Sequence, residues 1–546
     1  MKSKLFLTSL TTIGGAYAIL IIFLIVVFQV ANIPLSYLVI TSIIVAFAQF
    51  LIAPFIMDIT MKWLYRVKFD VNMPDYLKDY IEEVCKNNKM KYPKIGYIND
   101  GAPNAFTYGR TKNDARIVLT QGVFDLLAPE EVKAVVSHEI GHAVHYDMFL
   151  MTAVQIIPLI LYYIITKLGS SDDESPTAII VFVSYILYII SEYVILWFSR
   201  TREYYADEFS VISTQNPNAL ASALVKIGYG LATADSKEDF GEEKNNKKIK
   251  KERARKKARM ASISALGIFD AKTSKSLVVT SYDDGEISKE SIKKAARWEL
   301  WNPWAKWYEF NSTHPMISKR IKAICKYCNT YNQKEFITFD EKQPESYVNN
   351  FALEVFLKFL PLFTAIAIII TGFIMFMLGI IIKPSTFIGA GLVVFSMSLF
   401  ILLARNYKNK DYKEAKIADL LSEVKVSKIS PIPCIVKGQV IGRGTPGYIL
   451  SEDFVIKDDT GIIFLDYNQP VSILNKIFAL LKSKDYINQE VTVKGWYRRA
   501  PIPYIEIYTF TVGDKTKKCH TYTFTLVVEL IILFIGGVTL LTSLLM

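Results

Sequence analysis

The chain has 546 residues, of which 51% are hydrophobic and 21% are charged. This length and apolar content exclude a single small soluble domain and indicate membrane spans that alternate with soluble modules. The formal net charge of +11 has a local source, because residues 244–259 hold ten Lys or Arg against one Glu.

Seven apolar stretches are long enough to cross a bilayer as helices, since a hydrocarbon core of about 30 Å needs about 20 apolar residues. They are residues 5–30, 35–57, 149–167, 177–198, 359–382, 386–404 and 523–546. The first is too long for the apolar part of a signal peptide, and a second span follows at once. We therefore expect the first stretch to be a retained span.

Lys and Arg near the spans predict the orientation of the chain in the cell membrane. The N-terminus carries Lys2 and Lys4, and the segments after the second, fourth and sixth spans are basic, whereas the loops between them are poor in such charge. The positive-inside rule then places the N-terminus in the cytoplasm and the C-terminus outside. The large soluble segments on the cytoplasmic side are residues 58–148, 199–358 and 405–522.

The motif His138-Glu139-Ile140-Gly141-His142 is the strongest chemical signal in the sequence. Two histidines at positions i and i+4 lie on one helical face, so both imidazoles can reach one metal ion. The glutamate between them is placed to act on zinc-bound water. Pro129 can occupy the first turn of this helix. The alternative is a helix with two ordinary histidines.

A second helix, directly after the fourth span, carries acidic residues at the same spacing. Glu203 and Asp207 face one way, so Glu203 could ligate zinc and Asp207 could accept the outer N–H of a ligand histidine. The alternative is an exposed acidic face that pairs with Arg200 and Arg202. Both helices adjoin spans joined by a short loop, which predicts a shared site near the cytoplasmic surface of the membrane.

The pairing of H-E-x-x-H with a downstream S-R-x-x-E-x-x-A-D resembles the HtpX-like membrane metallopeptidases, relatives of the CAAX prenyl proteases. Further matches are residues 103–109 before the strand 116–120, and Thr313-His314-Pro315 followed by Lys319-Arg320-Ile321. The resemblance covers about residues 1–325. Ser199-Arg200 resembles the HtpX group, since the eukaryotic-type prenyl proteases tend to have Asn before the glutamate.

The resemblance implies that His138, His142 and Glu203 bind one Zn²⁺ per chain. It implies that Glu139 is the catalytic base and that Asp207 supports a ligand histidine. His314 matches the late histidine of the family and is our candidate donor to the oxyanion; the alternative is a capping or buried histidine before Pro315. His145 lies off the ligand face, and we expect it to be structural.

We expect substrate to add as a strand to a sheet edge formed by residues 104–109 and 116–120, because backbone pairing tolerates many sequences. By resemblance, Asn104 holds substrate backbone at this edge. The alternative is a simple hairpin that contains the same residues.

The basic run at 244–259 has two interpretations. Nucleic-acid binding is one. The other is a solvated cytoplasmic loop facing anionic lipid headgroups, which we favour because the run lies between spans. We expect no nucleic-acid partner.

Four tryptophans, Trp298, Trp301, Trp304 and Trp307, recur at three-residue spacing. They could form an aromatic stripe at the membrane interface, or pack against the catalytic domain, since Asn302-Pro303 interrupts a single helix. Cys325 and Cys328 have no second cysteine pair, so we interpret them as reduced thiols.

Residues of about 422–515 differ in character and predict a small β domain. Five stretches read as strands, punctuated by Gly and Pro, with a possible helix at 471–483; the strands are residues 434–440, 454–458, 461–465, 491–497 and 504–508. This pattern suggests an OB-like barrel with a regulatory or substrate-docking role. Arg498 and Arg499 are either a binding patch or part of a turn.

The sequence therefore predicts a multi-span α-helical membrane protein with a zincin-type catalytic domain that carries a small β-sheet, plus a C-terminal β-rich OB-like domain. The expected division is 1–57 membrane hairpin, 58–350 protease domain with two spans, 351–404 membrane hairpin, 405–522 OB-like domain and 523–546 last span. The expected function is cleavage of unfolded or membrane-protein substrates at the cytoplasmic face, in quality control. Alternatives are a processing protease with a defined substrate, of CAAX type or another, and an inactive membrane scaffold.

Overall fold

The computed structural model describes residues 35–63, 65–69, 71–168, 177–238, 282–283, 286–339, 341–380, 383–408, 411–443, 453–471, 475 and 486–545. The predicted span at 5–30, the basic run at 244–259 and nearly all of the possible helix at 471–483 lie outside these residues. The described chain forms two compact units. The first contains residues 35–234 and 307–339, and the second contains residues 235–238, 282–306 and 341–545.

The part of the chain up to residue 238 is mostly helical and carries one small sheet. Its helices are α1 (Leu35–Trp63), α2 (Asp75–Asn87), α3 (Gln121–Leu126), α4 (Pro129–Val144), α5 (Asp147–Leu168), α6 (Thr177–Thr214) and α7 (Pro217–Glu238), and its strands are β1 (Lys68–Phe69), β2 (Lys94–Ile98), β3 (Ala105–Tyr108) and β4 (Arg116–Thr120).

The strand order β1-β2-β4-β3 places β3 at one edge of this sheet. β4 lies between β2, to which it is parallel, and β3, to which it is antiparallel. The prediction that residues 104–109 form an edge is therefore confirmed. The prediction that residues 116–120 also form it is wrong, because β4 is hydrogen-bonded on both sides.

Helix α4 begins at Pro129, as its sequence predicted. The Glu131 carboxylate accepts a hydrogen bond from the backbone N–H of Ala128 at 2.8 Å, which satisfies a donor at the helix start. Gly141 lets α4 approach α6 closely, since a Cβ at this position would lie 3.2 Å from the Cα of Ala206. The apolar face of α4 is fully buried, so the helix is held firmly in the first unit.

Five described helices are long and apolar enough to cross a membrane, and the chain is a multi-pass membrane protein. The candidate spans are Asp147–Thr166, Ala178–Thr214, Val348–Met377, Pro384–Asn406 and Thr521–Leu545. They correspond to the last five predicted spans. The second predicted span, residues 35–57, lies in α1.

The remaining elements begin with a short hairpin and three helices. They are β5 (Tyr282–Asp283), β6 (Glu286–Ile287), α8 (Lys289–Trp301), α9 (Pro303–Phe310) and α10 (Ile317–Cys325). Two long helices, a short helix, seven strands and a final helix follow: α11 (Val348–Met377), α12 (Pro384–Asn406), β7 (Lys413–Glu414), α13 (Ile417–Ser422), β8 (Ile432–Arg443), β9 (Phe454–Lys457), β10 (Ile462–Asp466), β11 (Glu490–Arg499), β12 (Pro503–Val512), β13 (Lys515–Lys518) and α14 (Thr521–Leu545).

Strands β8 to β12 form a closed barrel in the second unit. The order β10-β9-β8-β11-β12 closes on itself because β10 also pairs in parallel with β12. All five predicted strands are present, and β7 and β13 extend the sheet. Neither interpretation of Arg498 and Arg499 is correct, because both lie inside β11 and are 3% and 0% exposed.

Two of the four tryptophans, Trp298 and Trp304, are buried in the second unit. The indole N–H of Trp298 donates to the carbonyl of Val426 at 2.8 Å, and that of Trp304 donates to Glu354 at 2.6 Å. As predicted, the helix is interrupted between Trp301 and Pro303.

Candidate metal centre

Helices α4 and α6 present three metal-ligating side chains to one point in the first unit. The Nε2 atoms of His138 and His142 are 3.2 Å apart. Oxygens of Glu203 lie 3.5 Å from Nε2 of His138 and 3.6 Å from Nε2 of His142. Among the described residues, these three side chains form the one such metal-binding group.

The size of this group fits a zinc ion. Bonds of about 2.0–2.1 Å from a tetrahedral zinc to nitrogen or oxygen put neighbouring ligand atoms about 3.3 Å apart. The separations of 3.2 to 3.6 Å match that geometry. In addition, Oε2 of Glu203 is buried and has no hydrogen-bond partner in the described structure, so a cation here would satisfy it.

Each histidine turns its second nitrogen toward a carboxylate. Nδ1 of His138 lies 3.0 Å from Asp207, and Nδ1 of His142 lies 2.6 Å from Asp147. Such partners fix the tautomer and leave Nε2 of the ring available to a metal. Asp207 is where the sequence placed it, whereas Asp147 is a functional candidate that the sequence interpretation missed.

A turn between α4 and α5 brings Asp147 to its position. Tyr146 adopts a left-handed backbone conformation with φ of 60°, and it is the second of two residues that separate the end of α4 at Val144 from the start of α5. Asp147, the first residue of α5, also lies 3.2 Å from Nε of Arg202. The local chain reversal, which has no simple sequence signature, therefore completes the support of His142.

Arg320 neutralises the acidic side of the site. Its Nε and Nη2 donate to the two oxygens of Asp207 at 2.9 and 2.7 Å, and its Nη1 lies 3.4 Å from Oε2 of Glu203. Burial opposes the charge of the guanidinium, but the charge and hydrogen bonds of Asp207 outweigh this effect and raise the pKa of Arg320. The sequence singled out Arg320 only as part of a family motif.

The protonation of His138 follows from the same carboxylates. Complete burial lowers the pKa of an imidazole, but the neighbouring carboxylates of Asp207 and Glu203 outweigh this effect and raise the pKa of His138 to about 9. Protonation of this imidazole and metal binding at its Nε2 therefore compete with each other.

Glu203 and Asp207 are 4% and 2% exposed, so the alternative of an exposed acidic face is wrong. Arg200 and Arg202 do not pair with them in the way that alternative requires. Arg202 faces Asp147, and Arg200 donates to backbone carbonyls of the segment 309–312.

The contact of Arg200 with the segment 309–312 helps to position His314. Nη1 of Arg200 donates to the carbonyls of Glu309 at 2.8 Å and Ser312 at 2.7 Å, which ties the segment before His314 to α6. Nε2 of His314 then lies 3.6 Å from Oε1 of Glu203. His314 thus lies beside the candidate metal ligand Glu203.

Glu139 lies beside the ligands and is 1% exposed. Its Oε2 accepts a hydrogen bond of 2.7 Å from the hydroxyl of Thr107 on β3. Its Oε1 is buried and has no hydrogen-bond partner within the described residues. Thr107 is a second candidate that the sequence interpretation missed, since no local pattern links a strand residue to a helix.

Asn104 and His145 occupy supporting positions. Asn104 precedes the edge strand β3 and is 3% exposed, with its side-chain oxygen accepting from the N–H of Ala105 at 2.9 Å. The ring of His145 packs edge-on against Tyr205 and Phe209. It is absent from the ligand group, as its position in the motif helix predicted.

A family model described as Peptidase family M48 matches residues 73–327. The "Protease HtpX homolog" of Methanothermobacter thermautotrophicus is 38% identical over 230 residues, which cover 42% of this chain and 85% of that protein. The "Protease HtpX homolog" of Aeropyrum pernix is 26% identical over 287 residues, covering 50% of this chain and 81% of its own. The crystal structure of S. mikatae Ste24p aligns with 59% of this chain and 67% of its own at a TM-score of 0.31 and 17% identity. The barrel lies beyond the end of the family match.

Proposed function

The chain belongs to peptidase family M48, and on that premise we propose that it is a zinc-dependent endopeptidase that cleaves membrane proteins at the cytoplasmic face of the membrane. One observation carries this proposal. The Nε2 atoms of His138 and His142 and the carboxylate of Glu203 converge within 4.8 Å, beside the buried carboxylate of Glu139.

The residues divide the chemistry among them. His138, His142 and Glu203 hold the zinc ion, which when bound supplies a Lewis acid that activates water at neutral pH. Glu139 takes a proton from the attacking water at Oε1 and delivers a proton to the leaving amine. Asp207 and Asp147 hold the two histidines in the correct tautomer.

His314 donates to the oxygen that becomes negative when the peptide carbonyl is attacked. Its position 3.6 Å from Glu203 supports this role. Substrate backbone adds to β3, the edge strand that also carries Thr107, and Asn104 lies at the start of that strand.

The membrane setting supports membrane-protein substrates and a role in quality control. Glu203 and Asp207 lie on the same continuous helix, α6, as the candidate span Ala178–Thr214, and Asp147 begins the helix of another span. A site at the ends of two spans can receive segments that emerge from the bilayer. The basic segments after the spans support a cytoplasmic location for this site and for the N-terminus.

We also propose that the barrel of the second unit is an OB-like domain that docks substrate or regulates cleavage. In chain order, its barrel strands are arranged first-second-third-fifth-fourth, with the third and fifth parallel, as expected for a five-stranded Greek-key barrel of this type. The proposed division of the chain is 1–57 membrane hairpin, 58–350 protease domain, 351–404 membrane hairpin, 405–522 OB-like domain and 523–546 last span.

The proposal is tested by incubating the purified full-length protein with zinc and an unfolded membrane protein, and by sequencing the new N-termini. Glu139→Gln keeps the shape and the neighbours of the side chain but removes the base. We expect it to lower the cleavage rate by about 10²- to 10⁴-fold with its zinc content unchanged. A chelator should stop cleavage by the unaltered protein, and added zinc should restore it.

Two outcomes contradict the proposal. Cleavage by Glu139→Gln at the rate of the unaltered protein would remove Glu139 from the mechanism. Cleavage that continues in the presence of the chelator would show that the mechanism does not need the metal. The inactive Glu139→Gln protein also serves as a trap, and capture of one defined sequence instead of many unfolded chains would replace quality control by dedicated processing.

A further inference from the structure

Strand β3 presents two different faces because successive side chains of a strand point to opposite sides. Phe106 and Tyr108 belong to a buried apolar cluster that includes Met61, Tyr65 and Val118. The intervening residue, Thr107, therefore points to the other face of the strand.

On that face, the Thr107 hydroxyl meets Glu139 of α4. Its Oγ lies 2.7 Å from Oε2 of the carboxylate and 3.1 Å from the backbone carbonyl of the same residue. A hydroxyl has one hydrogen to donate, and an ionised carboxylate is the stronger acceptor. The shorter contact is therefore the hydrogen bond that matters for the charged base.

We infer that Thr107 is a positioning residue for Glu139, which rests on the proposed role of Glu139 as general base. Its hydroxyl holds Oε2 and so leaves Oε1 to take the proton. Among the described residues, Oε1 is buried and accepts no hydrogen bond from the protein, so it is available as the proton acceptor.

The physical effect is a loss of rotational freedom in the base. The last torsion of a glutamate side chain has a broad energy well, so an unrestrained carboxylate samples many orientations. A hydrogen bond at one oxygen narrows this range, and small errors of orientation at a reacting group are costly in rate. Thr107 lies on the edge strand, so the element that would bind substrate backbone would also orient the base.

Two substitutions separate the hydroxyl from the shape of the side chain. Thr107→Val keeps the volume and suits a strand, but it removes the donor. Thr107→Ser keeps the donor and removes the methyl group. Thr111→Val is the matched control, because Thr111 lies in the loop after β3 and makes no side-chain cap to the short helix that follows.

The experiment measures kcat, KM and zinc content of the full-length variants on one peptide substrate. We expect Thr107→Val to lower kcat about 10- to 100-fold, with KM within about threefold and zinc content unchanged. Thr107→Ser should retain kcat within about threefold of the unaltered protein. Thr111→Val should match the unaltered protein in all three measurements.

Three results overturn the inference: an unchanged kcat in Thr107→Val, an equal loss in Thr107→Val and Thr107→Ser, or a raised KM with unchanged kcat. The equal loss would mean packing, and the raised KM would mean substrate binding. Glu139→Gln, measured beside them, separates this inference from the proposed function. If Glu139→Gln is inactive while Thr107→Val is fully active, only the positioning role fails; if Glu139→Gln is active, the proposed function fails.

Discussion

Each unit of the protein contains a fully buried arginine, and the partners of the two arginines differ. Arg320 in the first unit binds both oxygens of Asp207, at 2.7 and 2.9 Å. Arg499 in the barrel donates instead to the backbone carbonyls of Leu421 at 2.8 Å and Ala295 at 3.0 Å.

The difference supports the proposal that the cluster around Arg320 is a metal site. The carboxylates around Arg320 continue to a further group, because Asp207 faces His138 and Glu203 faces both histidines. The partners of Arg499 are backbone carbonyls, which carry no charge and do not lead to a further group of ionisable side chains. A buried charged side chain suits a metal centre when its partners are ionisable and converge on one point. A buried charged side chain that binds only backbone carbonyls holds structural elements together.

The largest expected effect is the loss of metal on removal of one ligand. His142→Ala removes one of three protein ligands, so the zinc content should fall from about one ion per chain to near zero, with loss of cleavage. Zinc content is measured by inductively coupled plasma mass spectrometry after dialysis. His145→Ala, on the same helix end but outside the ligand group, should keep its zinc; equal loss in both variants would contradict the assignment.

Arg320→Met tests whether Arg320 and the metal share the carboxylates of Asp207 and Glu203. It leaves Asp207 and Glu203 without their counter-charge, which should destabilise the zinc-free protein by about 3–5 kcal/mol. Zinc supplies positive charge at the same point, so added zinc should raise the unfolding temperature of this variant more than that of the unaltered protein. An equal zinc-induced rise in both proteins would mean that Arg320 and the metal do not share these carboxylates.

Arg499→Met tests whether Arg499 stabilises the barrel without affecting the zinc site. Two buried carbonyls lose their donor, at about 1–3 kcal/mol each, so the unfolding temperature should fall. Zinc content and the zinc-induced rise in unfolding temperature should stay as in the unaltered protein. Loss of zinc in this variant would break the distinction between the two clusters.

Asp147→Asn should have the smallest effect. It weakens the partner of His142 without removing a ligand, so the zinc affinity should fall about 10- to 100-fold, measured by competition with a chromophoric chelator. Glu506→Gln is the matched change in the barrel, where Glu506 accepts from Arg498 at 2.6 Å, and it should leave the zinc affinity unchanged. Equal affinity in Asp147→Asn and the unaltered protein would remove Asp147 from the site.

Part of the candidate site and of the barrel could be predicted from the sequence. His138 and His142 lie at i and i+4 on one helix, and Glu203 and Asp207 do so on another, so helical periodicity places each pair on one helical face. The barrel strands could also be predicted, because alternating apolar residues and the Gly and Pro residues that bound strands are local properties of the sequence.

The missed features have no periodic signature in the sequence. Asp147 reaches His142 only because Tyr146 turns the chain between two helices, and Thr107 reaches Glu139 across a sheet-to-helix contact. Arg499 looked exposed because charged residues usually are, but backbone carbonyls from distant segments cover it. Such contacts depend on tertiary packing, for which a single sequence carries no periodic signal.

We propose that the buried polar cluster of the first unit is the zinc site. X-ray absorption at the zinc edge of the purified full-length protein tests it most directly, since bonds from zinc to nitrogen or oxygen are about 2.0–2.1 Å and bonds to sulfur about 2.3 Å. All five cysteines are free thiols and could compete for the metal. We expect one zinc per chain, with two imidazole ligands, oxygen in the remaining positions and no sulfur. A sulfur ligand, or a spectrum unchanged by His142→Ala, would contradict the assignment.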